Sequence, residues 1–227
     1  ACVAEGKGTA CTMKDSPCAA CAYGYRYRLF ELLNGSKPGA FSFVGTQKTG
    51  PKDCGPYGAC RHEGHPGWRT TDLSNIVNKT LGPLQPDLIL LHIGTNDIGR
   101  NNYPTPAAAA TAVSANLGTL ITQLFAAIPA AHIFLASIIA MPPKCHFYNH
   151  GHTANLTAQE EAYNAQVPKV AASFGADKVT FVNMKAETGL CDMIKGSASG
   201  CCPPQLHPDG AGYARMAKAW AGALLRR

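Results

Sequence analysis

The stretch "PDLILLHIGTNDIG", residues 86–99, decides the fold class. Its apolar run is bounded by Pro86 and by Gly94, and it carries no alternation of polar and apolar residues. Such runs are typical of parallel strands that are buried on both faces. A polar segment with Asn96 and Asp97 follows at once. We therefore predict a central parallel strand with polar groups at its carboxyl end.

Strand-like and helix-like segments alternate on both sides of this stretch. This alternation predicts one α/β domain over residues 1–227, with a parallel sheet covered by helices on both sides. The predicted strands are "AFSFVG" (40–45), "AHIFLASII" (131–139), "DKVTFVNM" (177–184) and a first strand around residues 9–13. The predicted helices are 25–35, 71–82, 105–128, 157–175 with a kink at Pro168, and 208–225. A ligand site in such a sheet lies at the carboxyl ends of the strands.

Charge and hydropathy argue against two classes of partner. The 227 residues carry a net charge of +6, but the basic residues are scattered, so we expect no nucleic-acid partner. The most apolar stretch, 124–143, is interrupted by Pro129 and His132, so we expect a buried strand there and no membrane span. We expect a monomer.

The cysteines indicate an oxidising compartment. The chain has ten of them, several close together, and a disulfide framework explains the set more simply than a zinc site does. Three Asn-x-Ser/Thr sequons, at Asn34, Asn78 and Asn155, agree with an extracellular setting. We expect a secreted glycoprotein whose mature form begins at Ala1.

Four residues could together perform acyl transfer, which needs a nucleophile, a base and donors for an oxyanion. Ser16, in "TMKDSPC", follows the predicted first strand, and His207 precedes the last helix. Asn96 offers a side-chain amide, and Gly67 in "HPGW" offers an unhindered backbone N–H. No G-x-S-x-G motif occurs in the sequence, which argues against the α/β-hydrolase version of this chemistry.

Four blocks of the chain resemble the SGNH hydrolases, also called GDSL esterases, and most of all the acetyl xylan esterases of carbohydrate esterase family three. The blocks are "DSPCAACAYGYRYRLFELLNG" (15–35), "RHEGHPGWRTTDL" (61–73), "ILLHIGTNDI" (89–98) and "LHPDGAGYARMAKA" (206–219). The resemblance implies a flavodoxin-like three-layer α/β/α sandwich with a five-stranded parallel sheet. It also implies a secreted esterase without a cofactor that deacetylates xylan or a similar polysaccharide or oligosaccharide.

On this resemblance Ser16 is the nucleophile and His207 is the base. The N–H groups of Ser16 and Gly67 and the Asn96 side chain form the oxyanion hole. A short-chain ester or lipid hydrolase is the second interpretation, and an inactive carbohydrate-binding homologue is the third.

The sequence departs from the family pattern at two positions. Lys14 replaces the glycine that normally opens the first block, and Pro204 replaces the aspartate that usually lies three residues before the histidine. A backbone carbonyl near residues 202–204, a remote acid such as Asp192, or nothing at all would then orient His207. The first alternative gives a Ser–His dyad, and the last gives an inactive site.

Other polar and aromatic groups receive a structural interpretation. We assign no metal to His62 and His65, which lack a third ligand, or to the histidines at 146, 150 and 152. Asp97 is expected to bond to neighbouring loops, and Asp209 to favour the start of a helix. The tyrosines at 23, 25 and 27 are expected to pack into the core rather than to stack on a sugar.

Overall fold

A computed structural model describes residues 24–48, 61–139, 153–188, 208 and 210–227. These residues divide into two compact units, one formed by 67–186 and the other by the described residues before and after it. In chain order the elements are α1 (Arg26–Ser36), β1 (Gln47–Lys48), β2 (Arg61–His62), α2 (Thr70–Ser74), a π-helical turn (Val77–Leu81), a 3-10 turn (Gly82–Leu84), β3 (Leu88–Leu91), α3 (Thr95–Arg100), α4 (Pro106–Ala127), β4 (His132–Ala136), α5 (Thr153–Asn164), α6 (Val167–Ser173), β5 (Val179–Val182), α7 (Met184–Thr188) and α8 (Gly210–Leu225).

A parallel sheet organises the unit 67–186. The described strands pair in the order β3-β4-β5, with Leu88 opposite His132 and Ile133 opposite Val179. Every residue of β4 is buried, as its continuous apolar sequence predicts. The three apolar runs are therefore confirmed as parallel strands. The five strands implied by the resemblance exceed the three among the described residues.

The core of this unit lies between the sheet and one face of α4. Thr105 caps α4 by accepting a hydrogen bond from the N–H of Ala108 at 3.1 Å, and Pro106 opens the first turn. Apolar residues at helical spacing then enter the core: Ala109, Val113, Leu117, Leu120, Ile121 and Leu124. By length and composition alone α4 could also cross a membrane, a test that many core helices pass.

Two predicted elements differ from the structure. The helix predicted over 71–82 is broken. The helix α2 ends at Ser74, and the π-helical turn and the 3-10 turn follow. Pro83 lies in the 3-10 turn and has no N–H to donate to a continuing helix. The strand predicted over 40–45 is wrong, since residues 41–45 belong to no strand. Burial still alternates there, with Phe41 and Phe43 half-buried while Val44 is exposed. Pairing depends on a neighbouring strand, which alternation alone does not specify.

The helical segment 157–175 has the predicted interruption at Pro168. The structure ends α5 at Asn164 and begins α6 at Val167, so the proline occupies the first turn of a new helix. A proline is tolerated there because the N–H it lacks would have no partner within the helix.

The second unit packs α1 against α8. Leu29 and Leu33 are buried on α1, and the ring centroid of Tyr25 lies 6.1 Å from that of Trp220 on α8. Tyr25 thus contacts a core residue but is itself half-buried, and Tyr27 is 45% exposed, contrary to a core position. A short antiparallel ladder, β1 with β2, belongs to the same unit. The prediction of a single domain stays a prediction.

Candidate active site

The carboxyl end of β3 turns into α3 through a glycine that cannot be replaced without strain. Gly94 has a φ of +123°, and a Cβ built on it would lie 2.6 Å from Cε1 of Tyr163. The Tyr163 hydroxyl donates a hydrogen bond to the carbonyl of Ile93 at 3.0 Å. Tyr163 is fully buried, and burial raises the pKa of its phenol above the ordinary value. This neutral side chain therefore fixes the turn that carries Asn96.

Asn96 lies in the first turn of α3 and reaches the segment that contains Gly67. Its Nδ2 donates a hydrogen bond to the carbonyl of Trp68 at 3.1 Å. An amide carries two donors on one planar nitrogen, so this bond also fixes the plane of the amide. Two of the predicted oxyanion donors, the Asn96 side chain and the Gly67 backbone, are thus brought together.

Gly67 has its own requirement for glycine. Its φ is +77°, and a Cβ would lie 2.7 Å from Nη2 of Arg100. Glycine is favoured here because it adopts this backbone conformation readily, whereas the guanidinium group ends a flexible exposed side chain that could move aside. The sequence indicates Gly67 through its motif, but it gives no sign of Arg100.

Asp97 joins α3 to α2. Its carboxylate is buried and accepts hydrogen bonds from the N–H of Thr70 at 3.0 Å and from the Thr70 hydroxyl at 2.6 Å. Burial raises the pKa of Asp97, and the bonds from Thr70 act against this rise. Asp97 therefore has a structural bond, as expected, but to the first residue of α2 rather than to a loop, and this bond holds the segment after Gly67 against α3.

A half-buried histidine, His92, precedes this turn and was not singled out from the sequence. The Nε2 atom of His92 is buried and has no hydrogen-bond partner among the described residues. Burial lowers the pKa of His92 to about 4, so the ring is neutral at pH 7. A polar residue inside the apolar run "LILLHI" is the signal that could have indicated it.

A second polar cluster lies at the carboxyl ends of β4 and β5. Glu160 of α5 is 1% exposed and lies 3.1 Å from the Nζ atom of Lys185. Asn164 donates to Glu160 and to the carbonyl of Ile138, while the Ser137 hydroxyl accepts from the N–H of Lys185 at 3.1 Å. The sequence reasoning missed these residues because they come from three separate segments.

The "HEGH" segment forms a hydrogen-bonded turn in the other unit. Glu63 accepts two bonds from Thr46 and lies 2.9 Å from Nε2 of His65. Burial opposes ionisation of Glu63, but the hydrogen bonds from Thr46 and His65 outweigh it and lower the pKa of this carboxyl. The Nδ1 atom of His62 accepts from the N–H of Gly64 at 3.0 Å. Burial lowers the pKa of His62 to about 4. No group of three metal-ligating side chains occurs among the described residues.

Ser16 and His207 lie outside the described residues, as do Lys14, Asp192, Pro204 and Asp209. The same is true of the loop histidines, whose numbers are 146, 150 and 152, and of all ten cysteines. The geometry above therefore concerns the oxyanion side of the predicted site, and the roles of Ser16 and His207 stay predictions.

Comparison with known proteins identifies the class of protein to which this chain belongs. The parallel sheet of the unit 67–186 agrees with the SGNH hydrolase fold. The sequence profile of the GDSL-like lipase/acylhydrolase family matches residues 55–215. The chain belongs to this family and is a carboxylic ester hydrolase. No curated protein sequence matches the chain.

Solved structures agree with this family. A carbohydrate esterase of family 3 from Clostridium thermocellum is 25% identical, covers 94% of each chain and has a TM-score of 0.63. One from Talaromyces cellulolyticus is 19% identical, covers 89% of this chain and 90% of its own, and has a TM-score of 0.69. An acetylxylan esterase from Geobacillus stearothermophilus is 18% identical, with coverage of 94% and 86% and a TM-score of 0.57. The resemblance to carbohydrate esterase family three is confirmed, and the two structures below 25% identity support the fold alone.

Proposed function

We propose that this protein is a secreted serine esterase that removes acetyl groups from carbohydrate, with acetylated xylan as the first substrate to test. One observation carries the proposal. The Asn96 amide, at the carboxyl end of β3, donates to the carbonyl of Trp68, the residue after Gly67, and this bond supports a shared role for the two candidate oxyanion donors. The similarity to family 3 carbohydrate esterases and to an acetylxylan esterase supports the choice of substrate. We propose further that residues outside the described ranges complete a five-stranded sheet.

In the proposed reaction the Ser16 hydroxyl attacks the ester carbonyl while His207 takes its proton. The carbonyl oxygen becomes an oxyanion and accepts hydrogen bonds from the N–H groups of Ser16 and Gly67 and from the Asn96 amide. Donors held in place before the reaction stabilise this charge without reorganising, which is the main source of rate enhancement in such sites. His207 then protonates the leaving sugar oxygen, and water hydrolyses the acetyl-enzyme by the reverse sequence.

Hydrolysis of a chromogenic acetate ester tests the nucleophile and the base. We expect the native protein to turn over and both Ser16→Ala and His207→Ala to lose activity by about 10³-fold or more. Ser114→Ala is the matched control, since Ser114 is half-buried on α4 and its hydroxyl bonds to the Thr111 carbonyl. If the native protein does no better than the Ser16 variant, the esterase proposal fails and sugar binding becomes the function to test.

A further substitution decides what orients His207. We propose a backbone carbonyl near residues 202–204 in this role. Asp192→Asn should then leave activity within a few-fold of native. A loss of about 10⁴-fold, the size seen when the acid of a catalytic triad becomes an amide, would instead identify Asp192 as the remote acid.

A further inference from the structure

The terminal nitrogens of the Arg100 guanidinium lie beside Gly67. A Cβ built on Gly67 would lie 2.7 Å from Nη2, 3.2 Å from Cζ and 3.2 Å from Nη1 of Arg100. Because Nη2 is nearer than Cζ, the Cβ position lies beyond the two terminal nitrogens and oblique to the guanidinium plane. The end of the group that carries the Nη1 and Nη2 donors is therefore next to the glycine.

Arg100 carries a positive charge that has no ion-pair partner in the part of the chain that the structure describes. Its side chain is exposed, and within the described residues it makes no hydrogen bond or ion pair. Arg69, by contrast, lies 3.4 Å from the carboxylate of Asp72. A guanidinium group carries five N–H donors in a planar fork that matches the two oxygens of a carboxylate. The donors of Arg100 are therefore open to an anion from solution.

The position of this charge relates it to the proposed reaction. Arg100 ends α3, the helix whose first turn carries Asn96. Bond geometry places its Nη2 atom no farther than about 5 Å from the Gly67 nitrogen. An ester whose carbonyl oxygen bonds to that nitrogen brings the rest of the sugar close to the guanidinium group. A carboxylate on the same sugar or the next one would then meet the donors of Arg100.

We propose that Arg100 forms an anion subsite beside the oxyanion donors and binds the carboxylate of a uronic acid in the substrate. This inference rests on the proposed function, and it narrows the substrate to acetylated glycans that carry uronate. Bidentate pairing of a guanidinium with a carboxylate is a charge-assisted interaction with defined geometry. Because Arg100 is exposed, salt will screen the interaction. The net charge of +6 favours the approach of an acidic polymer as well.

Two acetylated sugars, one with a carboxylate and one without, test the subsite directly. We would measure kcat/KM at low salt for acetylated methyl glucuronoside and for acetylated methyl glucoside, which differ in the carboxylate at one carbon. The native protein should prefer the glucuronoside about tenfold. Arg100→Gln should lose this preference, and Arg100→Lys, which keeps the charge but not the fork, should keep only part of it. The native preference should also fall as sodium chloride is added.

Lys79→Gln is the matched control because it removes the same charge elsewhere. Lys79 is exposed in the π-helical turn, and the segment that follows bonds through Gln85 to the carbonyl of Ala127, shortly before the amino end of β4. The candidate donors lie at the opposite edge of the sheet. This variant should keep the full preference for the glucuronoside.

Three results separate this inference from the proposed function. Equal rates of the native protein on both sugars would overturn the subsite. An equal loss on both sugars in Arg100→Gln would also overturn it and would give Arg100 a role at the oxyanion or in the fold. If the native protein hydrolyses neither sugar, the proposed function fails, and calorimetric binding of methyl glucuronoside decides the subsite. Binding that Arg100→Gln abolishes then supports it, and no binding by the native protein overturns it.

Discussion

The end of β3 and the ends of β4 and β5 meet the same edge of one sheet but are built on different physics. After β3 the Asn96 amide bonds to the Trp68 carbonyl and the Tyr163 hydroxyl bonds to the Ile93 carbonyl, while the buried Asp97 carboxylate accepts from Thr70. After β4 and β5 a buried carboxylate, Glu160, is paired with the ammonium of Lys185. The first region presents oriented donors at two glycines, whereas the second satisfies its own charges internally.

This difference indicates a division of roles. Donors that must stabilise a transient oxyanion are most effective when they are held in place before the reaction and when a nearby carboxylate is already bonded elsewhere, as Asp97 is to Thr70. A buried ion pair, in contrast, uses its charges to tie segments together and is costly to break. We therefore expect substitutions at the β3 end to affect rate and those at the second cluster to affect stability.

Among substitutions in these two regions, Asn96→Ala should cause the largest loss of kcat. Removal of one oxyanion donor costs about 10²–10³-fold in kcat, and KM should change little because the donor acts mainly in the transition state. Steady-state kinetics on a chromogenic acetate ester measures this.

Asn101→Ala is the matched control for this substitution, since the Asn101 amide donates to the Asp97 carbonyl at 2.9 Å and to the Tyr103 hydroxyl. Its kcat should stay near the native value. A tenfold or smaller loss in Asn96→Ala, or an equal loss in both variants, would remove Asn96 from the oxyanion hole.

Lys185→Met should destabilise the fold by about 2 kcal/mol, since it leaves the buried Glu160 carboxylate without its ammonium partner. The value is below that of a fully buried pair because the Lys185 side chain is 30% exposed. Urea denaturation gives the difference in the free energy of unfolding.

Lys169→Met makes the same chemical change at an exposed position of α6 and should cost less than about 0.5 kcal/mol. Equal costs in the two variants would mean that the pair adds nothing to stability. A loss of kcat in Lys185→Met at unchanged stability would break the proposed division of roles.

We expect the lowered pKa of His92 to make the free energy of unfolding of the protein fall as the pH is lowered. Burial lowers its pKa from 6.5 to about 4 in the folded state, so between these values the unfolded chain binds more protons than the folded one. Stability is then lost as the pH falls from about 6.5 towards 4, by at most about 1.4 kcal/mol per pH unit for this residue. Denaturation at several pH values would show a shallower slope in His92→Gln than in the native protein.

His62 has a similarly lowered pKa and contributes to the native slope. His62→Gln measured beside His92→Gln separates the two contributions. A slope that His92→Gln leaves unchanged would show that the His92 ring does not titrate differently in the folded and unfolded states.

The strands and long helices were predictable because the spacing of apolar residues along the chain indicates which side chains are buried. The runs at 86–94, 131–139 and 177–184 became β3, β4 and β5, and residues 106–127 became α4 with Thr105 as its cap. At 71–82 the sequence predicted one helix, whereas the structure has the short helix α2 followed by a π-helical turn and a 3-10 turn. At 40–45 the alternation was correct, but it did not specify a partner strand.

Part of the candidate site was predictable for a related reason. Gly67 and Asn96 belong to motifs whose letters are recognisable without any contact information, and Asp97 follows directly from the second of these motifs. Their bonds were not predictable. The Asn96–Trp68 bond spans 28 positions of sequence, and the Tyr163–Ile93 bond spans 70. No local pattern relates residues so far apart.

By itself, then, the sequence determined the parallel α/β class, the family and the residues proposed for chemistry. Only the tertiary structure placed Arg100 over Gly67, Tyr163 over Gly94 and Lys185 beside Glu160. The physical reason is that periodicity records whether a side chain is buried, since burial depends on which face of an element it occupies. Which partner it meets depends on how separate elements pack, and that information arises only when the chain has folded.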